Sequence, residues 1–79
     1  MTRPELEAKI RAIVVSKTGI AADRVVPEAT FEDLAADSLD MIEIVMAIED
    51  DFDLKIPDVD VETWKKFGDV VDWVAAKVV

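Results

Sequence analysis

Asp37-Ser38-Leu39-Asp40-Met41-Ile42-Glu43-Ile44-Val45-Met46-Ala47-Ile48-Glu49-Asp50-Asp51-Phe52 decides the fold of this chain. Apolar residues recur through it at helical spacing, and Asp37 and Ser38 are two candidate caps at its start. The spacing predicts a helix over 38–52. At 100° per residue this helix shows two apolar arcs. Met41, Ile44, Val45, Ile48 and Phe52 form an ordinary core stripe. Leu39, Ile42 and Met46 lie roughly opposite, interleaved with Glu43, Glu49, Asp50 and Asp53. Burial on two sides would explain the second arc, as would the ordinary exposure of single apolar residues. A binding face with an apolar centre and an acidic rim explains it more sharply, and methionine helps such a face repack against several partners.

The charges favour the binding face. Seven acids and no Lys or Arg fall between Asp37 and Asp53. Asp37 and Asp40 stand at the favourable end of the helix dipole. Glu49, Asp50, Asp51 and Asp53 crowd at the unfavourable end, at about 0.3–1 kcal/mol each. Solubility alone accounts poorly for that placement, whereas a Lys/Arg-bearing partner would use it for on-rate and register.

Outward from this helix the chain reads as three longer helices and one short one. Thr2-Arg3-Pro4-Glu5 is a helix start with a capping box, Leu6, Ile10, Ile13 and Val14 line one face, and Gly19 is a stop, so the first helix covers about 3–17. From Ile20 to Asp37 the period breaks into turn and cap residues. A connection this long is usually functional or internally packed. It is predicted to be a structured loop with one short helical turn, pinned by Val25, Val26, Phe31 and Leu34. Ile56-Pro57 leads into one or two turns over 58–62. A last helix covers about 66–78, with Phe67, Val70, Val71 and Val74 inward, Trp73 flanking and Trp64 plugging the junction. The fold expected is all-α: a small four-helix bundle with a long structured loop between helices 1 and 2, in a single domain over 1–79.

Composition narrows the function. The 79 residues carry 18 acids and 9 bases, a formal charge of −9, which argues against nucleic acid and anionic lipid as partners. With no cysteine and no histidine, thiolate metal sites, hydrolase triads and zinc chemistry have no residues to run on. No apolar stretch reaches the ~20 residues of a membrane span. The polar start Met1-Thr2-Arg3-Pro4-Glu5 is no signal peptide, so a cytoplasmic location is expected. A calcium loop is a poor fit. Asp51, Asp53 and Glu62 fall on ligand positions, but Lys55 and Ile56 occupy a ligand position and the turn position that needs Gly. No metal site is expected beyond weak divalent binding by the acidic helix.

A serine at a helix start is usually a cap, and the tripeptide Asp37-Ser38-Leu39 is weak alone. In its context, from Phe31 through Asp37-Ser38-Leu39 to Phe52 and on to Ile56-Pro57-Asp58, the chain resembles acyl carrier proteins over nearly its whole length. The resemblance implies that Ser38 carries 4′-phosphopantetheine, attached by a separate phosphopantetheinyl transferase from coenzyme A. The thiol of that arm would hold acyl groups as thioesters and present them to fatty-acid or related lipid and polyketide biosynthesis enzymes with basic docking patches. The chain would be a monomeric carrier and not an enzyme. Asp37 before the serine favours a fatty-acid or polyketide carrier, since peptidyl carriers more often have His there. The resemblance places the partner-reading surface on Asp37, Leu39, Asp40, Ile42, Glu43, Met46, Glu49 and Asp50, close to the face the helical wheel gives without it. It implies that Ile44, Val45, Ile48, Phe52, Trp64 and Val71 line the acyl chain, although each also reads as simple core.

Departures from the family pattern carry expectations of their own. Ala35 stands where Gly is familiar, so that loop is expected to be strained or to take another path. Lys65-Lys66 replaces a capping Ser/Thr and opposes the dipole of the last helix. Gly68 weakens its first turn by about 1 kcal/mol against Ala. That helix is therefore expected to start late or fray. Trp64 and Trp73 exceed the aliphatics and Tyr expected there, so the acyl space should differ in shape, which would suit a specialised carrier. The alternative reading is an unmodified acidic helical adaptor that presents the second helix to a basic protein.

Overall fold

The computed structural model describes residues 2–34 and 37–78, with Ser38 described by its backbone. The chain runs through α1 (Arg3–Thr18), a 3-10 turn (Ala22–Arg24), α2 (Ser38–Phe52), α3 (Asp58–Val61) and α4 (Phe67–Val78). This is the small helical bundle expected, with three longer helices and one short one, and no strands among the described residues. The expectation of strain at Ala35 lies outside the described residues.

α1 starts and stops as its sequence dictates. The Thr2 hydroxyl accepts from the Glu5 N–H while Glu5 reaches back to the Thr2 hydroxyl and N–H, a closed capping box. These bonds, the hydroxyl first and the backbone N–H second, hold the Glu5 carboxyl below the usual carboxylate range. Gly19 ends the helix in the left-handed region at φ 75°, where a residue without Cβ bears no steric penalty, and its N–H donates to the Val15 carbonyl at 2.8 Å. The buried face is Leu6, Ile10, Ile13 and Val14, each contributing about 1.5–3 kcal/mol when fully removed from water. α1 packs against both α2 and α4, so its stripe is the middle of the core.

The long connection is pinned at both ends of its course. Val25, Phe31 and Leu34 are buried in the main cluster. Val26 is not an anchor: it is 39% exposed, because the 3-10 turn before it directs Val25 inward and leaves its neighbour outside. Arg11 reaches across from α1, its Nε donating to the Val25 carbonyl at 2.8 Å and its guanidinium lying over the Phe67 ring at 5.7 Å. One side chain thereby ties α1, the loop and α4 together.

The start of α4 corrects the expectation drawn from Lys65-Lys66. The helix begins one residue later than predicted, at Phe67, but its first turn is held. The Phe67 N–H donates to the Ala29 carbonyl at 2.9 Å and the Gly68 N–H to the Pro27 carbonyl at 3.0 Å. Thr30 and Lys66 form an isolated antiparallel bridge, and the Phe31 N–H donates to the Lys65 carbonyl. Asp69 supplies the cap from inside the helix: its Oδ2 accepts the Lys65 and Lys66 N–H groups at 2.9 and 3.0 Å. Those two bonds, Lys65 first, hold the Asp69 carboxyl below its ordinary value. Gly68 has a packing reason. A Cβ there would lie 3.0 Å from the Pro27 carbonyl oxygen, tighter than ordinary contact, so the close approach of loop and helix favours its absence.

Candidate functional site

α2 holds nearly every candidate residue, and its N-terminus is a local construction. Asp37, not Ser38, is the cap. Its carboxylate accepts the Asp40 N–H at 2.9 Å, and the Asp40 carboxylate returns to the Asp37 N–H at 3.4 Å. The acids flanking Ser38 thus turn towards backbone N–H groups. Ser38 is the first residue within the helix, at the positive end of its dipole. An anion attached there, such as a phosphodiester, meets a favourable field, so the backbone setting fits the 4′-phosphopantetheine group.

The two arcs of the wheel separate as predicted. Ile44 and Ile48 are fully buried, and Met41, Val45 and Phe52 are half-buried against the same cluster. On the other side Leu39 is 63% exposed, Ile42 56% and Met46 57%. Glu43 and Asp50 are exposed beside them. Glu49 is half-buried and also serves the fold, since its Oε2 accepts the Ile56 N–H at 2.9 Å and fixes the turn out of α2. The C-terminus closes on Asp53 in the left-handed region at φ 51°, with no basic residue in the last turn. The acids there remain uncompensated within the helix.

A groove of about 620 Å³ runs between α2 and α3. Met41, Ile42, Val45 and Met46 line one side, Ile56 and Val61 the other, with Glu49, Asp58 and Glu62 at its edges. Val59, 68% exposed, extends the apolar surface onto α3. Of the residues expected to line an acyl chain, only Val45 faces this groove. Ile44, Ile48, Trp64 and Val71 are gathered in the closed core, with Phe52 half-buried at its edge. Sequence reasoning missed Met41, Ile56 and Val61 as groove walls. Met41 was legible as the neighbour of Ile42 and Val45 along the wheel. α3 is a single turn, too short for periodicity to reveal Val61.

Trp64 plugs the junction before α4, as predicted, and lies edge-to-face with Trp73, ring centroids 5.9 Å apart and planes at 66°. Its Nε1–H is buried without a hydrogen-bond partner among the described residues. An unmet donor in such a place costs about 1–3 kcal/mol. Trp73 is half-buried with the Lys77 ammonium 5.2 Å above its ring.

The calcium-loop pattern falls on the end of α2, a turn and α3. Among the described residues no three His, Cys, Asp or Glu are placed to hold an ion. No helix among the described residues is long and apolar enough to cross a membrane.

Residues 8–74 match the family described as phosphopantetheine attachment site. The chain is 44% identical to an acyl carrier protein of Thermosynechococcus vestitus over 99% of this chain and 98% of that protein. It is 43% identical to one from Akkermansia muciniphila over 94% of each. With one from Chlorobium phaeobacteroides the identity is 40% over 98% of this chain and all of the relative.

Proposed function

The chain belongs to the acyl carrier protein family, carriers that bear covalent 4′-phosphopantetheine, and from that premise we propose that Ser38 is the attachment residue. The observation that supports it most is the backbone position of Ser38, first in a fifteen-residue helix whose cap is made by the residue before it. Asp37 makes the side-chain cap, and the helix dipole at the position of Ser38 favours the anion that the modification adds. The Ser38 oxygen forms a new bond to the pantetheine-side phosphorus of coenzyme A. The bond to the bridging oxygen of the pyrophosphate breaks, adenosine 3′,5′-bisphosphate leaves, and the serine proton passes to a base of the transferase. The product is a phosphodiester. When bound, the group supplies a thiol on which acyl chains travel as thioesters, chemistry for which the chain has no cysteine of its own.

The partner face in this proposal is Leu39, Ile42 and Met46 with Asp37, Asp40, Glu43, Glu49 and Asp50 around them. Three exposed apolar side chains give a desolvated centre, and the acids give complementarity to a basic patch. The partners are the transferase and the acyl-transferring and chain-building enzymes of fatty-acid or polyketide synthesis. Within the proposal Ile44, Val45, Ile48, Phe52, Trp64 and Val71 surround the acyl chain once α2 and α3 part along their groove. The chain acts as one domain over 1–79, as a monomer in the cytoplasm, and as a substrate of other enzymes. An unmodified adaptor is the weaker reading, since family membership supplies the modification that it lacks.

Intact mass after incubation with a broad-specificity phosphopantetheinyl transferase, coenzyme A and magnesium tests the attachment. One phosphopantetheine should be added to the natural chain and none to Ser38→Ala. Addition to the variant would move the site to Ser16, the only other serine; addition to neither, on folded protein, would favour the adaptor.

A further inference from the structure

The segment from Lys55 to Trp64, which carries α3, is tied to the rest of the molecule by one hydrogen bond among the described residues. The Ile56 N–H donates to Glu49 Oε2 at 2.9 Å. The segment's other bonds close within it. The Asp60 and Val61 N–H groups donate to the Pro57 carbonyl, Glu62 to Asp58, Thr63 to Asp60 and Trp64 to Val61. The Thr63 hydroxyl also donates to the Asp60 carbonyl. Pro57 has no N–H with which to add a second tie. Packing holds the segment mainly at its ends, through buried Ile56 and Trp64, while Val61 is half-buried and Val59 stands in water. The closely packed helix pairs are α1 with α2 and α1 with α4, and α3 is in neither. Glu49 belongs to α2 and Ile56 to the opposite wall of the α2–α3 groove, so their bond is a clamp across it.

The same carboxylate stands in the acidic rim, three residues from Met46, and is half-buried and so still within reach of solvent. We propose that Glu49 couples docking to the groove: a partner's Lys or Arg that pairs with its carboxylate withdraws it from the Ile56 N–H and frees α3 to move away from α2. This rests on the carrier reading above and singles out the one rim acid that answers to the partner. A full positive charge in an interface that excludes water holds a carboxylate more strongly than one amide N–H does. The other rim acids lack this link. Glu43 and Asp50 are exposed, so pairing with them adds affinity and releases nothing. Asp37 and Asp40 brace the start of α2, away from the clamp.

The test uses the full-length chain with Ser38→Ala, so that a phosphopantetheinyl transferase with coenzyme A forms a complex that does not react. Amide hydrogen exchange is followed residue by residue, free and with the transferase in saturating excess. It is measured with Glu49 in place, with Glu49→Gln and with Glu49→Ala. In the free chain Glu49→Ala should speed exchange of the Ile56 amide about ten- to a hundredfold, as loss of a bond to a charged acceptor implies. Glu49→Gln keeps an accepting oxygen and should speed it less. With Glu49 in place, saturation by the transferase should speed the Ile56 amide about tenfold or more, while the Val71 and Val74 amides of α4 hold their rates. In Glu49→Gln, saturation should leave the Ile56 rate of the free variant unchanged. An Ile56 amide that slows or keeps its rate when the complex with Glu49 is saturated would overturn the coupling. If Glu49→Ala does not fold, that complex decides. The chain with its natural Ser38 separates the two failures. Modification of Ser38 without a response at Ile56 would overturn the coupling and leave the carrier reading standing. Neither complex nor modification would overturn both.

Discussion

The two faces of α2 carry similar side chains to opposite ends. Ile44 and Ile48 are fully buried against α1 and the core, while Leu39, Ile42 and Met46, as apolar as they are, stand more than half exposed. The buried face is held by packing and the exposed face contributes almost nothing to the folded state. In the proposed function a partner surface covers the three large apolar residues that this helix leaves in water. The difference teaches that stability and recognition are separable here, one helix turn apart, and that substitutions should move one readout and leave the other.

The largest effect should come from the buried face. Ile48→Ala removes most of a side chain with no exposure, at about 2–5 kcal/mol, enough to unfold much of a domain that is marginal by size. Chemical denaturation should show that loss, whereas Leu39→Ala should stay within about 0.5 kcal/mol of the natural chain. Equal losses for the two would break the comparison. Next in size is the acidic rim. The double change Glu43→Lys/Asp50→Lys should lower kcat/KM for phosphopantetheinyl transfer by about tenfold, with a rate that rises less steeply as salt is removed. These two acids are the cleaner choice, because Asp37, Asp40 and Glu49 also bond backbone N–H groups.

Asp69 provides a control away from α2. Asp69→Ala should cost about 1 kcal/mol through the lost cap and leave transfer unchanged. Its carboxyl is held below the ordinary value by the Lys65 and then the Lys66 N–H. The folded state therefore keeps it ionised at pH values where the unfolded chain already binds the proton. Its contribution is complete above the ordinary carboxylate pKa and is lost as pH falls through the lowered one. The Tm gap between Asp69→Ala and the natural chain should be full at neutral pH and close over that acid interval. A gap that widened in acid would contradict the bond assignment. The smallest effect belongs to the C-terminus of α2. Asp53→Asn keeps a residue that tolerates the left-handed region and removes an adverse charge, so stability should rise by about 0.3–1 kcal/mol. A thermal melt of that variant checks the sign.

What was legible in the sequence follows from how local each construction is. The start of α2 lies within Asp37–Asp40, and the two-faced wheel needs only its own residues, so both can be read from the chain alone. The start of α4 depends on carbonyls of Pro27 and Ala29 far back in the chain and on Gly68 letting Pro27 approach. Lys65-Lys66 is a false signal there because pairing with the loop satisfies what a side-chain cap otherwise would. Asp69 is the overlooked clue, an acid in the first turn able to reach back. Val26 misleads because adjacent valines in an irregular segment have no period to say which one faces inward. Glu49 looks like pure rim because its bond to the Ile56 N–H spans a turn whose path the sequence leaves open.

Leu39→Ala/Met46→Ala asks whether the exposed face of α2 is built for partners and not for the fold. Tm and kcat/KM for phosphopantetheinyl transfer would be measured on the same preparation. Tm should stay within a few degrees of the natural chain, about 4 °C at most, with transfer reduced roughly tenfold or more by loss of the apolar centre. Unchanged transfer, or a collapse in Tm comparable to that of Ile48→Ala, would contradict a face built for partners.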